Sequence, residues 1–557
     1  MPGPAAASTY FINVSHTVPV ISISTDNANL YGATGIFDNV NQDWNKPCYV
    51  EYFDAGKNLI FKQAAGIQLD GGAGGSRTQP QHSFRIEPGN GTFGDGDVKY
   101  ALIPDRPNRN DYSSFYLRNG SNQYNTLQYK DGLQVKAIAK NTYTYYSAHS
   151  AIVAYINGAY SGVYELREKL NADFLAENYL MNIDSLDLLT LSYYKGQVLE
   201  PIEGSVDGFW EDYSRFLSLT PTSTGFLGEA GKILDLDNYT DYIIAQAWIG
   251  NTDWPFNNIR VWRNSSTGFR WQYAVQDVEW SMLPNGWTTA TYDMIGYMLG
   301  TGTGYPYTGY WNRLMQNSTY KVSFINRFAD LMNTNYQFSN LGPMEEEKYS
   351  FQYAEMPAEF DRWGNSTMSA YISNHNVLRN QLEIRTGYVR DDILTHFGLT
   401  RQVEVTLDVQ PQGAGQIKIS TIVPVDYPWQ GVYFSGNPVK ITAMANPGYK
   451  FKNWSTNSLI SNPGNATFTA NLSDATEGFT ANFEASNANF QGVTISEIHY
   501  KNGKNEATND WFELFNGGSS PVNLNGWYFT DNDTAHVFRF GSTATIAANY
   551  DWYLEIM

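Results

Sequence analysis

Hydrophobic periodicity changes character once along this 557-residue chain, at about Arg401. Before that point, segments with a two-residue apolar repeat are interleaved with segments of helical repeat. After it, every apolar segment reads as strand. A chain divided in this way cannot be one uniform layer, and its length allows three or four domains at roughly 150 residues each. We therefore expect an α+β domain over residues 1–400, a small all-β module over 402–485 and a second all-β module over 490–557. The polar run at 486–489 is a short linker between the modules. The second module stops at Met557 inside or just past a strand-like run, so the natural chain is expected to continue.

Within the first 400 residues, strands are expected at 17–24, 50–53, 58–62 and 114–118. Residues 66–87 read as a strand, a glycine-rich loop at 71–75 and a second strand. Residues 152–166 form β-rich arms around Asn157-Gly158, a dipeptide that tolerates positive φ and so marks a hairpin. A helix is expected over 127–145. Another follows Arg167-Glu168-Lys169, with Leu170, Phe174, Leu175 and Tyr179 inward. Further helices are expected at 236–250, stopped by Gly250, and at 320–332, 344–363 (interrupted at Pro357) and 371–397.

The stretch from Ala247 to Leu283 carries the chemistry. Asp253 is followed five positions later by Asn258, and an aromatic hairpin then delivers Asp277 just past a strand end. In phosphoryl transfer to a hydroxyl, one Asp handles the hydroxyl, an Asn five positions on holds a metal ion, and a later Asp holds the metal bridging the nucleotide phosphates. On that template Asp253 is the catalytic residue and Asn258 and Asp277 hold Mg²⁺ or Mn²⁺. The glycine-rich loop would bring backbone N–H groups to phosphate, with Arg77 and Arg85 adding charge; a tight surface hairpin is the commoner source of such a loop. Glu168 either orients a cation beside a nucleotide or belongs to an exposed charge trio in a turn.

Composition narrows the classes. With 36 Lys and Arg against 55 Asp and Glu, the formal net charge of −19 argues against a nucleic-acid groove. One cysteine, Cys48, rules out an internal disulfide framework and a Cys-based zinc site. No apolar run approaches the roughly 18 residues of a membrane span. The opening MPGPAAASTYF has no basic-then-apolar signal, so any export signal is expected to have been trimmed. Of the seven histidines, the six apart from His82 include no pair at metal-ligand spacing.

Taken together, six pieces in order resemble the CotH kinase-like family, named for spore-coat proteins. They are VPVISISTDNANLYGATGIF, GIQLDGGAGGSRTQPQHSFRI, LRNGSNQYNTLQYKD, YINGAYSGVYELREKL, NTDWPFNNIRVWR and WQYAVQDVEWS. The resemblance implies an atypical protein-kinase-like fold and transfer of phosphate from ATP to the hydroxyls of a protein substrate. It also implies Asp253 as the catalytic aspartate, Asp277 as the metal-binding one, Asn258 between them, and Glu168 as the acidic position after GVY. One departure stands out: His82 occupies the place of a lysine common in the family. If that lysine serves ATP, then Arg77 or Arg85 must substitute here, or ATP binding is weakened. Residues 402–485 resemble an InlB B-repeat through GAGQI, ITAMANPGYKFKNW and FTANFEA. Residues 490–557 resemble a lamin-tail domain, an immunoglobulin-like sandwich, through ISEIHY, DWFELFNGG and VNLNGWYFTD.

Both modules imply extracellular or cell-surface placement, with the cytoplasm left open, and they offer surfaces for surface or carbohydrate contacts. A catalytically silent adhesin or scaffold on the same fold is the rival to the kinase. Glycoside hydrolysis, which needs two carboxylates at a set separation, is a third class that the Asp-to-Asn spacing disfavours.

Overall fold

A computed structural model describes residues 8–72, 76–89, 93–193, 196–300, 309–446, 448–486, 493–499, 511–525, 527–530, 537–541 and 543–555. Two compact units divide the chain, Met1–Gln402 and Val403–Met557. Among the described residues, no helix is long and apolar enough to cross a membrane.

The first unit opens with strands β1 (Val20–Ser24), β2 (Lys46–Phe53), β3 (Leu59–Leu69), β4 (Phe84–Glu87), β5 (Phe115–Arg118), β6 (Tyr145–Tyr146), β7 (His149–Ile156) and β8 (Ala159–Glu168). All but β6 close a barrel in the order β1-β2-β3-β4-β5-β8-β7. The seam is the one parallel pairing, Val20 of β1 opposite Val153 of β7. Closure leaves no barrel strand with an unpaired edge. The β7–β8 turn has Asn157 and Gly158 both left-handed, at φ 49° and 78°, as a two-residue hairpin turn requires.

Two sequence expectations change. The strand expected at 58–62 continues as β3 to Leu69, absorbing the strand placed before the glycine-rich loop. Residues 73–75 of that loop lie outside the described residues. The helix expected over 127–145 is shorter, Lys130–Ala139, and gives way to β6. All ten of its residues are buried, charged ones included, so it lacks the polar face by which periodicity would have bounded it.

A second sheet adds β9 (Asp187–Leu191), β10 (Leu199–Glu203), β11 (Ile259–Arg263) and β12 (Gln272–Val275), in the order β10-β9-β11-β12-β6. The helix Leu236–Ile249 packs on β12, and its N-cap Asp235 accepts a hydrogen bond from Asn238 N at 3.2 Å. The other helices of the unit include Ala172–Tyr179, Asp207–Ser218, Ser318–Asn333, Phe338–Tyr353, Met356–Trp363 and Met368–Phe397. Pro357 falls in the first turn of Met356–Trp363, where its missing N–H would have had no helical partner. Leu378, Leu382, Val389, Ile393 and Phe397 form the buried stripe of the last helix.

The second unit is all β among its described residues. Trp429–Ser435, Arg401–Gln410, Thr476–Ala485 and Tyr449–Trp454 make a four-stranded sheet in that order. Strict alternation drives it: Val403, Val405, Leu407 and Val409 are all fully buried, with more exposed residues between them. Farther on, Val493–His499, Trp511–Asn516 and Tyr550–Glu555 pair antiparallel, and Phe512, Leu514, Leu524 and Ile546 supply part of a small core.

Candidate active site

Two neighbouring clefts of the first unit meet at Asp277. One, of about 610 Å³, is lined by Asp253, Asn257, Asn258 and Glu279 together with Tyr193, Phe256, Trp280 and Trp287. The other, of about 460 Å³, is lined by Asp70, Tyr116, Gln276 and four arginines, Arg77, Arg118, Arg167 and Arg260. Gly72, Ser192 and Asp277 border both.

The Asp253 loop begins where Gly250, left-handed at φ 72°, ends the helix Leu236–Ile249. Arg385 of the helix Met368–Phe397, 1% exposed, fixes that helix end. Its guanidinium donates to Ala247 O (3.0 Å) and Trp248 O (2.5 Å), and also to Ala290 O (2.9 Å) and Tyr292 O (2.7 Å). A cation suits the negative end of a helix, and here it also ties two chain segments together. Thr288 links the same pieces: its hydroxyl donates to Gly250 O at 3.0 Å and accepts from Met282 N at 2.9 Å.

Asp277 sits two residues past β12, on a loop hung from the buried helix Lys130–Ala139. Asp131 Oδ1 accepts from Val278 N at 2.8 Å. Lys130 Nζ donates to Met282 O and Pro284 O, both at 2.7 Å, and to Glu279 O at 3.2 Å. Gln123 Nε2 reaches Glu279 O (2.8 Å) and Asn285 O (3.0 Å). Three-way donation is how the Lys130 ammonium is accommodated, although burial pushes it down to about 7.

At the floor of the larger cleft, Asp253 Oδ2 accepts from Asn257 Nδ2 and Asn258 Nδ2, each at 2.8 Å. The two asparagines then differ. Asn257 Oδ1 accepts from Tyr193 N at 2.8 Å, whereas the Asn258 side-chain oxygen takes no hydrogen bond among the described residues. Asn258 and Asp277 both have left-handed backbones, φ 54° and 49°, which few non-glycine residues adopt and which recur at functional sites.

Charge at the site is unbalanced. Burial, and then the neighbouring Asp277, push the Asp253 carboxyl up to about 6, against the pull of the two amide hydrogen bonds. Burial, and then Glu279, push Asp277 up to about 7. The nearest cation, Arg118, serves three carboxylates at once: Glu279 at 3.0 Å, Asp277 at 3.7 Å and Asp131 at 3.8 Å. Asp131 also has Arg167 at 2.5 Å, and Glu279 has Asn122, so Asp277 is the least compensated. An under-compensated carboxylate and an unused amide oxygen lining the same cleft offer hard oxygen donors. They fit Mg²⁺ or Mn²⁺ and not a thiolate-seeking metal.

The structure thus brings Asp253, Asn258 and Asp277 together. Arg77 borders the arginine-lined cleft but is engaged by Asp43, Gly71 O and Val40 O. Arg85 is absent from the lining of both clefts; it pairs with Glu87 at 2.8 Å and Gln68 at 2.5 Å. Glu168 also borders the arginine-lined cleft; its fully buried carboxylate meets Arg109 (2.8 Å), Arg106 (3.4 Å), Asn178 (2.8 Å) and Ala148 N (2.8 Å), so the cations it orients are these arginines. Glu168 is therefore not part of an exposed charge trio. The His82 ring packs 4.8 Å from Phe37 and lines a third cleft with Tyr31 and Trp363, away from the aspartates. Burial holds its pKa below the usual histidine value. Sequence reasoning missed Arg118, Asp131, Glu279 and Arg260, which are scattered over the chain. The one local signal was the doubled asparagine at 257–258.

Residues 67–389 match the family model described as CotH kinase protein. Residues 405–487 match the divergent InlB B-repeat domain, and residues 486–554 match the lamin tail domain. No curated protein matches the chain.

Proposed function

The chain belongs to the CotH kinase protein family, and from that premise we propose that it transfers the γ-phosphate of ATP to a hydroxyl of a protein substrate with the help of Mg²⁺ or Mn²⁺. The observation that carries the reading is Asp277, which borders both the arginine-lined cleft and the cleft holding Asp253. Phosphoryl transfer needs that layout: polyphosphate on one side, the acceptor hydroxyl on the other, and a cation between them.

Asp277 and the free oxygen of Asn258 are the residues that would hold the metal. A metal held there would supply charge neutralisation for the phosphates, with Asp277 as its ionised ligand. Asp253 has the role of accepting or orienting the acceptor hydroxyl proton. Its Oδ2 is committed to two amides, which leaves Oδ1 for the hydroxyl. A pKa of about 6 keeps it ionised at pH 7 while leaving it more basic than an ordinary carboxylate. The company of a B-repeat and a lamin tail domain supports placing the protein outside the cell or on its surface.

The test is transfer of labelled γ-phosphate from ATP, with Mg²⁺ or Mn²⁺, to the protein itself and to a generic acceptor. Wild type is run beside Asp253→Asn and Asp277→Ala. The expected result is label on wild type and none on either variant. A folded wild type that neither transfers label nor binds ATP would overturn the reading in favour of a non-catalytic surface module.

A further inference from the structure

Four arginines border the smaller cleft, and three are already spent on carboxylates. Arg77 meets Asp43, Arg118 is shared among Asp131, Asp277 and Glu279, and Arg167 meets Asp131 and Glu165, both at 2.5 Å. Arg260 differs. Among the described residues no carboxylate lies within ion-pair distance of it, and its one side-chain hydrogen bond runs from Nε to Gln276 Oε1 at 3.2 Å. That leaves both terminal nitrogens of the guanidinium, with four N–H donors, uncommitted. A mostly buried cation without a counter-ion is unfavourable, and protein interiors seldom retain one.

The sheet around Arg260 is shaped to leave it open. In the β11 register its cross-strand neighbours are Thr190 of β9 and Ala274 of β12, both small. Two residues along the same face of each neighbour come Ser192, which borders both clefts, and Gln276, which fixes Nε and is the chain neighbour of Asp277. Among the described residues the cleft therefore holds one cation with no anion within ion-pair distance and one carboxylate, Asp277, with only a share of a cation. A metal–polyphosphate complex supplies both.

We infer that Arg260 is a phosphate ligand of this cleft, its free guanidinium edge pairing with the phosphates of the bound nucleotide. Of the arginines expected from the sequence, Arg77 also borders this cleft but already meets Asp43, and Arg85 borders neither cleft and meets Glu87. The inference rests on the phosphotransferase reading and refines it. A planar guanidinium with two parallel free donors matches a phosphate bidentately, as an ammonium does not.

The experiment uses the full chain and two probes, ATP and inorganic tripolyphosphate, each with Mg²⁺. Binding is read by calorimetry and by thermal shift for wild type, Arg260→Gln and Arg260→Lys. Both probes should bind wild type. Arg260→Gln should weaken both about tenfold or more, and Arg260→Lys should recover part of the loss. Without ligand, Arg260→Gln should melt no lower than wild type, since it removes an uncompensated charge; a role confined to packing predicts a drop instead. Equal affinity of wild type and Arg260→Gln for ATP would overturn the assignment and leave the kinase reading standing. Arg260-dependent tripolyphosphate binding without ATP binding would support the assignment and overturn the nucleotide. Failure of wild type to bind either probe would overturn both.

Discussion

Replacing Asp277 with asparagine should stabilise the metal-free protein while abolishing its response to Mg²⁺. The Asp277 carboxyl is pushed up to about 7 from an ordinary 3.8. Ionisation is therefore disfavoured in the folded state relative to the unfolded one. At about 1.4 kcal/mol per pH unit, a shift of roughly three units sets a ceiling of about 4 kcal/mol on the penalty at pH 8. The carboxylate is 29% exposed, so solvent screens part of this, and about 2 kcal/mol is a fairer figure. For a unit of some 400 residues, each kcal/mol moves Tm by about 1–2 °C, giving an expected gain of roughly 2–4 °C.

The sign depends on pH. Because the folded pKa lies above the unfolded one, the penalty is full above pH 7. It shrinks as pH falls from 7 to 4 and is gone once both states are protonated. At pH 4.5 the gain should be about a quarter of its value at pH 8. The assay is calorimetric melting of wild type and Asp277→Asn at pH 4.5, 6 and 8, with and without 5–10 mM Mg²⁺ as a roughly saturating level for a weak oxygen site. Magnesium should raise the Tm of wild type at pH 8 and leave the variant unmoved. A variant that melts below wild type at pH 8, or gains equally at pH 4.5 and 8, would refute the charge-imbalance argument.

Three further outcomes are expected. The pH–rate profile of phosphate transfer should fall on the acid side near pH 6, where Asp253 takes up its proton, and Asp253→Asn should lose about 10²-fold or more at pH 7; an acid limb near pH 4 would remove Asp253 from that role. His82→Lys should leave ATP affinity within about twofold, because the ring lies against Phe37 in a separate cleft; calorimetric titration with ATP would expose a large gain as a contradiction. Arg385→Lys should destabilise the first unit by about 2–4 kcal/mol in urea unfolding, since one ammonium cannot reach all four carbonyls that the guanidinium holds.

By itself the sequence determined the local pieces, because each rests on contacts near in the chain. The Asn157-Gly158 turn demands two left-handed residues wherever it occurs, and it closes β7 onto β8. Alternation from Val403 to Val409 specifies a strand with one buried face whatever it packs on. The same locality made Asp253 and Asn258 legible as a pair, since one loop joins their side chains at 2.8 Å.

Tertiary structure decided what periodicity cannot encode. The helix Lys130–Ala139 carries Lys130 and Asp131 inside the protein, where they look misplaced in sequence, because their partners are carbonyls and a backbone N–H near Asp277. Arg77, Arg85 and Arg260 are alike as residue types. Only the fold gives Arg77 its Asp43 and Arg85 its Glu87 while leaving Arg260 without a counter-ion among the described residues. Charge compensation is a sum over neighbours brought from distant parts of the chain. It is also what sets the state of Asp277: one guanidinium, Arg118, divided among three carboxylates that arrive from two separate segments, the helix carrying Asp131 and the loop carrying Asp277 and Glu279.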